Sequence, residues 1–461
     1  MSLDAVLSRI DTDLNAATER LMDLLRIRSI STDPDYKAEC DKAADWLVAD
    51  LASFGVKAEK RATPGHPMVY GTFGPEGADV PHVLFYGHYD VQPVDPIELW
   101  TRDPFDPAIE ETDNGPVIRG RGTSDDKGQL MTFVEACRAW AAETGSVPCR
   151  VTFFFEGEEE SGSPSLIPYM KAHAEELKAD LALICDTGLF NPTTPGIITM
   201  LRGNVGEELT VTAASKDLHS GMFGGVAMNP IRVLSKILAG LHDETGRVTV
   251  PDFYDGVPDL PEELAKQWEG LGFSAEEFLG GVGLSDPAGE QAFTPLEMIW
   301  SRPTCDVNGI WGGYTGAGFK TVIPSQAHAK LSFRLVGQQD PIAIRENFRK
   351  WVTAQLPADC TVEFKGYSNS PASQMDISGT AFEAARQALS DEWPNEAAFI
   401  GCGGSIPIAG YFKSILDMNA MLIGYGNDDD QIHSPNEKYN VFSFQHGIRS
   451  WARVLDALAK A

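Results

Sequence analysis

The sequence has no Cys-x-x-Cys pair, no run of basic residues, no internal repeat and no low-complexity tract. No apolar run approaches the ~18 residues that a membrane span requires. Each absence narrows the field. The seven cysteines, at 40, 137, 149, 185, 305, 360 and 402, are odd in number and lack metal-binding spacing. That argues against a disulfide framework and against a cysteine zinc site, and reduced thiols in a cytoplasmic protein are the expectation. Positive charge is scarce: 37 Lys and Arg face 66 Asp and Glu, for a formal net charge of -29. A field of that sign opposes nucleic acid and anionic membrane, so neither is an expected partner. Met1-Ser2-Leu3-Asp4 shows no basic stretch leading into an apolar core, and no signal peptide is expected.

What is present reads as a globular chain of more than one domain, with 461 residues, 43% hydrophobic and 22% charged. Apolar spacing predicts amphipathic helices over Asp4 to Arg28 and Tyr36 to Phe54. Compact apolar runs predict buried strands at His82 to Tyr86, Val151 to Phe155, Leu181 to Cys185 and Ala420 to Ile423. Residues 92–124, rich in Pro, Gly and Asp, read mostly as loop, and a helix follows Asp125-Asp126. Alternating strands and helices predict an α/β fold with a mostly parallel three-layer α/β/α sheet. The texture changes near Leu201-Arg202-Gly203, where strand, helix, helix and strand segments predict a smaller inserted α+β sandwich. The first texture returns after Ser370. The expected division is 1–202, 203–369 and 370–461, the first and last forming one domain.

Polar residues cluster at the ends of these elements. The strand ending at Phe155 runs into Glu156, Glu158, Glu159 and Glu160, which repel unless a cation or proton offsets them. His88, Asp125, Asp186 and His433 sit at other element ends. Alone, each has an ordinary reading: a hydrogen-bonded pair, a helix cap, a turn residue. Together, two imidazoles and three carboxylates suit two divalent ions sharing one carboxylate, with Asp90 holding the far nitrogen of His88.

The ordered segments Gly-His-Tyr-Asp-Val-Gln-Pro, Gly-Arg-Gly-Thr-Ser-Asp-Asp-Lys-Gly, Glu-Gly-Glu-Glu-Glu-Ser-Gly-Ser, Asp-Leu-His-Ser-Gly, Lys-Thr-Val-Ile-Pro and His-Ser-Pro-Asn-Glu resemble one family. It is the co-catalytic zinc metallopeptidases, and the resemblance is strongest to the carnosinase and cytosolic non-specific dipeptidase branch. It implies His88 and Asp186 on one metal, Glu160 and His433 on the other, and Asp125 between them after a cis peptide to Asp126. The metals would be zinc, with manganese the alternative. Glu159 would be the general base acting on a bridging water. The inserted domain would be a lid and homodimerisation domain. From it, His219 would stabilise the oxyanion in the partner's site, and Arg334 would hold the substrate's free carboxylate, helped by Thr321 and by the Gly404-Ser405 turn of the catalytic domain. His219 is also readable as a cap before Ser220-Gly221. Glu158 stands where relatives often have an uncharged residue, and Glu156 and Glu158 default to structural or solvated roles. The implied activity is hydrolysis of dipeptides or of the C-terminal residue of short peptides. The alternatives are an N-acyl-amino-acid deacylase or desuccinylase, and a catalytically silent binding protein on the same fold.

Overall fold

The structure, a computed structural model, describes residues 2–77, 79–404 and 406–461. The chain divides into two compact units: 1–199 with 375–400 and 411–461, and 200–374 with 401–410.

The first unit is built on a sheet whose strands lie in the order Lys57–Arg61, Met68–Phe73, Arg150–Glu156, His82–His88, Leu181–Ile184, Asn419–Ile423 and Gly196–Leu201. The four strands from Arg150–Glu156 to Asn419–Ile423 run parallel. Their near-continuous apolar sequences follow from burial on both faces. Alternation along the central strands sorts their rings between two layers. Phe85 stacks on Phe133 at 3.8 Å and meets Trp451 edge-on at 5.7 Å. The neighbouring Tyr86 and Phe154 point the other way, to Phe412 and Tyr169. Helices Lys127–Thr144 and Val441–Leu458 cover the Phe85 side, tied together where Trp140 Nε1 donates to the Ala452 carbonyl.

The 92–124 segment is not all loop. Ala108–Thr112 and Gly115–Arg119 form a hairpin, and Lys438–Asn440 adds as a third strand. Asp113 and Asn114 form the turn between its strands. Those strands were not legible, because Ala108–Thr112 is mostly exposed and lacks an apolar alternation.

The second unit is a four-stranded antiparallel sheet in the order Thr304–Gly312, Gln326–Leu335, Gly203–Thr212, Thr361–Ser370. Alternate residues of Gly203–Thr212 are buried, and Val205, Leu209 and Val211 meet Phe333, Leu234, Ile237 and Phe348 in one core. Helices Pro230–Ala239 and Pro341–Ala354 supply that cover. Each starts with Pro in its first turn behind an Asn229 or Asp340 cap. Residues 401–410 belong here, not to the catalytic domain where the Gly404-Ser405 turn was expected. The Arg202 amide donates to the Gly404 carbonyl at 3.1 Å and Arg202 Nε to that of Gly403 at 3.0 Å. A Cβ on Gly401 would collide with Trp300, so glycine is required for this close approach. Among the described residues, no helix is long and apolar enough to cross a membrane.

Candidate metal centre

Parallel strands bring their carboxyl ends to one edge of a sheet, which is where open α/β folds gather ligands. His88 closes the strand His82–His88, and Glu159 and Glu160 follow Arg150–Glu156. Asp186 follows Leu181–Ile184, and Asp125 immediately precedes the cap of helix Lys127–Thr144. His433 comes from the loop between Asn419–Ile423 and Lys438–Asn440.

These five side chains converge in the first unit as two groups sharing Asp125: His88, Asp125 and Asp186, and Asp125, Glu160 and His433. One Asp125 oxygen lies 3.0 Å from His88 Nε2 and the other 2.9 Å from His433 Nε2. Asp186 lies 3.8 Å from His88, and Glu160 lies 3.2 Å from His433. The Asp125-Asp126 peptide is cis.

The electrostatics of these side chains fit cations. Burial, reinforced by Asp125, pushes the Asp186 carboxyl up to about 8. Burial and the neighbouring carboxylates also raise Glu159. Hydrogen bonds donated to Asp125 and Glu160 push the His433 imidazole up to about 10. Without a metal, protons must therefore offset the crowded carboxylates. Imidazole nitrogens and carboxylate oxygens in two open groups are a donor set that suits zinc.

The acidic stretch divides by partner. Glu156 accepts from Tyr86 at 2.6 Å and Ser163 at 3.0 Å, and burial pushes it up to about 8. Glu158 is not solvated: it is buried, and its two oxygens accept the His66 and Ser165 amides, each at 3.0 Å. Glu160 is held by Gln92 Nε2 at 2.7 Å. Asp90 is fully buried and does more than steady the far nitrogen of His88, which sits 3.3 Å from its carboxylate. Its oxygens also accept the Glu159 and Glu160 amides at 3.3 and 3.0 Å. Asp90, a catalytic candidate beside Glu159 and His219 on the sequence, thus contacts His88 and two backbone amides at once. Gln92, which donates to Glu160, was missed, although it lies two residues after Asp90.

His219, Thr321, Arg334 and Gly404 all belong to the second unit. Leu218–His219 pairs with Val322–Ile323, and the Ser220 amide donates to the Thr321 carbonyl at 3.1 Å. His219 does cap the turn that follows, since the Gly221 amide donates to its Nδ1 at 3.0 Å. That bond leaves Nε2 as the protonated nitrogen of the neutral ring. Arg334 neighbours Arg202, which burial, followed by the charge of Arg334, lowers to about 10. Ser405 lies outside the described residues.

Residues 84–457 match the model of Peptidase family M20/M25/M40. The chain belongs to this family. Its M20 relatives include the Cys-Gly metallodipeptidase dug1 of Schizosaccharomyces pombe, 30% identical over 474 residues covering 100% of this chain and 99% of the relative. The Beta-Ala-His dipeptidase of Homo sapiens is 29% identical, over 98% of this chain and 91% of that one. Among solved structures, the di-peptidase Dug1p from Saccharomyces cerevisiae superposes with a TM-score of 0.78 at 28% identity, covering 100% and 99% of the two chains. The M20 family metallo-carboxypeptidase Sso-CP2 from Sulfolobus solfataricus gives a TM-score of 0.79 at 30% identity, covering 96% of this chain and 99% of that one.

Proposed function

We propose that this M20 peptidase is a dinuclear metallohydrolase that cleaves the amide bond of dipeptides or the C-terminal residue of short peptides. The observation that carries the reading is Asp125, whose two oxygens each face a different histidine. His88 and Asp186 would hold one cation, Glu160 and His433 the other, and Asp125 both. Zinc suits this donor set, with manganese the alternative. Bound there, the cations lower the pKa of water and polarise a scissile carbonyl. Glu159 takes the proton of the attacking water and hands it to the leaving nitrogen. Asp90, bonded to the amides of Glu159 and Glu160, sets their orientation and steadies His88.

From the second unit, Arg334 would pair with the substrate's free carboxylate, with Thr321, Gly404 and Ser405 beside it. His219, whose Nε2 carries the proton, would donate to the oxyanion of a partner's substrate. A homodimer through this unit is supported by its exposed apolar residues next to His219, namely Met222, Val226 and Phe319, which are 76, 89 and 91% exposed. A cytoplasmic location is supported by seven cysteines that are all free thiols. An Arg334 clamp would also accept N-acyl amino acids. The metallodipeptidases among the relatives favour peptides.

The deciding experiment is turnover of dipeptides, tripeptides and N-acyl amino acids by the zinc- and manganese-loaded protein. Peptide hydrolysis abolished by chelation is expected. Glu159→Gln should lower kcat about 100-fold or more while retaining bound metal. Turnover of acylated substrates alone would replace the peptidase reading. Full activity in Glu159→Gln would remove the base.

A further inference from the structure

We infer that Glu437 is a positioning residue of the dinuclear centre, the group that sets Asp125 against His433. The inference rests on the metal assignment proposed above. Glu437 has no solvent exposure and no apolar role. Its carboxylate accepts four hydrogen bonds, all from one short loop. Oε2 accepts from Arg121 Nη1 at 2.8 Å and the Gly122 amide at 2.9 Å. Oε1 accepts from the Ser124 amide at 2.9 Å and the Asp125 amide at 3.1 Å. Three main-chain N–H groups turned inward on one buried point form a nest that needs an anion at its centre. Here the anion is a side chain supplied from the segment that carries His433.

That origin gives the contact its consequence. Asp125 must present one oxygen toward each histidine, so its placement decides the geometry of both metal positions. His433 cannot set that placement itself, because its side chain is 53% exposed on a loop. The loop is registered from both of its ends instead. Before His433, Asp430 Oδ2 accepts from Ser124 Oγ at 2.7 Å. After it, Glu437 takes the Asp125 amide, and the Gly120 amide donates to the Glu437 carbonyl at 3.0 Å. The ladder then continues through Lys438 opposite Arg119. The two ligands are therefore held at fixed spacing by contacts of the protein itself. Glutamine at 437 keeps the volume but turns an NH2 group toward amides that need an acceptor, so the Asp125 loop must shift.

The test uses the full-length protein stripped of metal and reloaded with zinc. Stoichiometry is read by elemental analysis, affinity by competition with a chromophoric chelator, and kcat and KM with a dipeptide. For Glu437→Gln the expected result is zinc affinity lower by about 10- to 100-fold, with kcat reduced and KM within about twofold. Glu392→Gln is the control for a purely structural loss, since Glu392 is a buried carboxylate bonded to His446, Arg449 and Arg453 on another part of the unit. It should lower stability and leave zinc affinity and kcat unchanged. Glu437→Gln that is less stable but keeps wild-type zinc affinity and kcat would overturn the inference. If that variant does not fold, Arg121→Lys, which keeps the charge but loses the planar donor to Glu437, is measured in the same way. Lower zinc affinity supports the role and an unchanged value overturns it. Wild-type protein that fails to take up two zinc ions would overturn the metal assignment itself, and this inference with it.

Discussion

Glu392 is where acid should first cost the catalytic unit stability through a single buried group. Its side chain is 2% exposed and accepts from His446 Nδ1 at 2.8 Å, Arg449 Nε at 2.5 Å and Arg453 Nε at 2.8 Å, all on the helix Val441–Leu458. Burial alone would raise its pKa, but the three donors outweigh it and bring the carboxyl down from 4.5 to about 2. The folded pKa lies below the unfolded one. The stabilisation is therefore complete above about pH 4.5 and is lost as pH falls toward 2. The separation corresponds to about 3 kcal/mol at neutral pH, against a total of roughly 5–15 kcal/mol for a typical domain. Glu392→Gln removes the charge and keeps the shape. Wild type and variant are unfolded by denaturant in chelator, so that metal release does not contribute, at pH values from 7 to 3. A gap of about 3 kcal/mol is expected at pH 7 and 5.5, shrinking below 4.5 as wild-type Glu392 takes up its proton. A gap at pH 3 equal to that at pH 7 would refute the charge as its source.

Other outcomes are as specific. Chelation should lower the melting temperature, and zinc or manganese should restore it; at free metal 100 times its dissociation constant the difference is about 2.7 kcal/mol, read by calorimetry. Glu158→Ala leaves the His66 and Ser165 amides buried without their acceptor, at about 1–3 kcal/mol each. Denaturant unfolding measures that loss, and faster hydrogen exchange at both amides locates it. Arg334→Lys keeps the charge but loses the two-pronged geometry, so KM for dipeptides should rise about tenfold with a smaller change in kcat; an unchanged KM would remove Arg334 from the carboxylate site.

The elements that carry the ligands were legible because their signals are local. His82–His88, Arg150–Glu156 and Leu181–Ile184 are short apolar runs that stop abruptly at polar residues, and burial on both sheet faces demands that pattern. The hairpin at Ala108–Arg119 was not legible, since Ala108–Thr112 is mostly exposed and Gly115–Arg119 buries only the adjacent Val117 and Ile118, so neither strand alternates. The glycine turn at 401–404 went to the wrong unit because its attachment is to the backbone and guanidinium of Arg202, about 200 residues away in sequence. Whether Glu158 was structural or solvated stayed open for the same reason, since its partners are main-chain amides that no side-chain pattern announces.

By itself the sequence determined which residue types stand at the ends of buried strands, and from them a donor set for two cations with a spare carboxylate beside it. Periodicity is a property of neighbours in the chain, so it can specify an element and what terminates it. Only the tertiary structure decided that Asp125 turns one oxygen to each histidine, that Asp90 holds the amides of Glu159 and Glu160, and that Glu437 holds the loop of Asp125. The Asp90 and Glu437 contacts join a carboxylate to backbone N–H groups about 70 to 310 residues distant. Every non-proline residue has such a group, so no residue type marks it, and it becomes a partner only when folding buries it facing a charge.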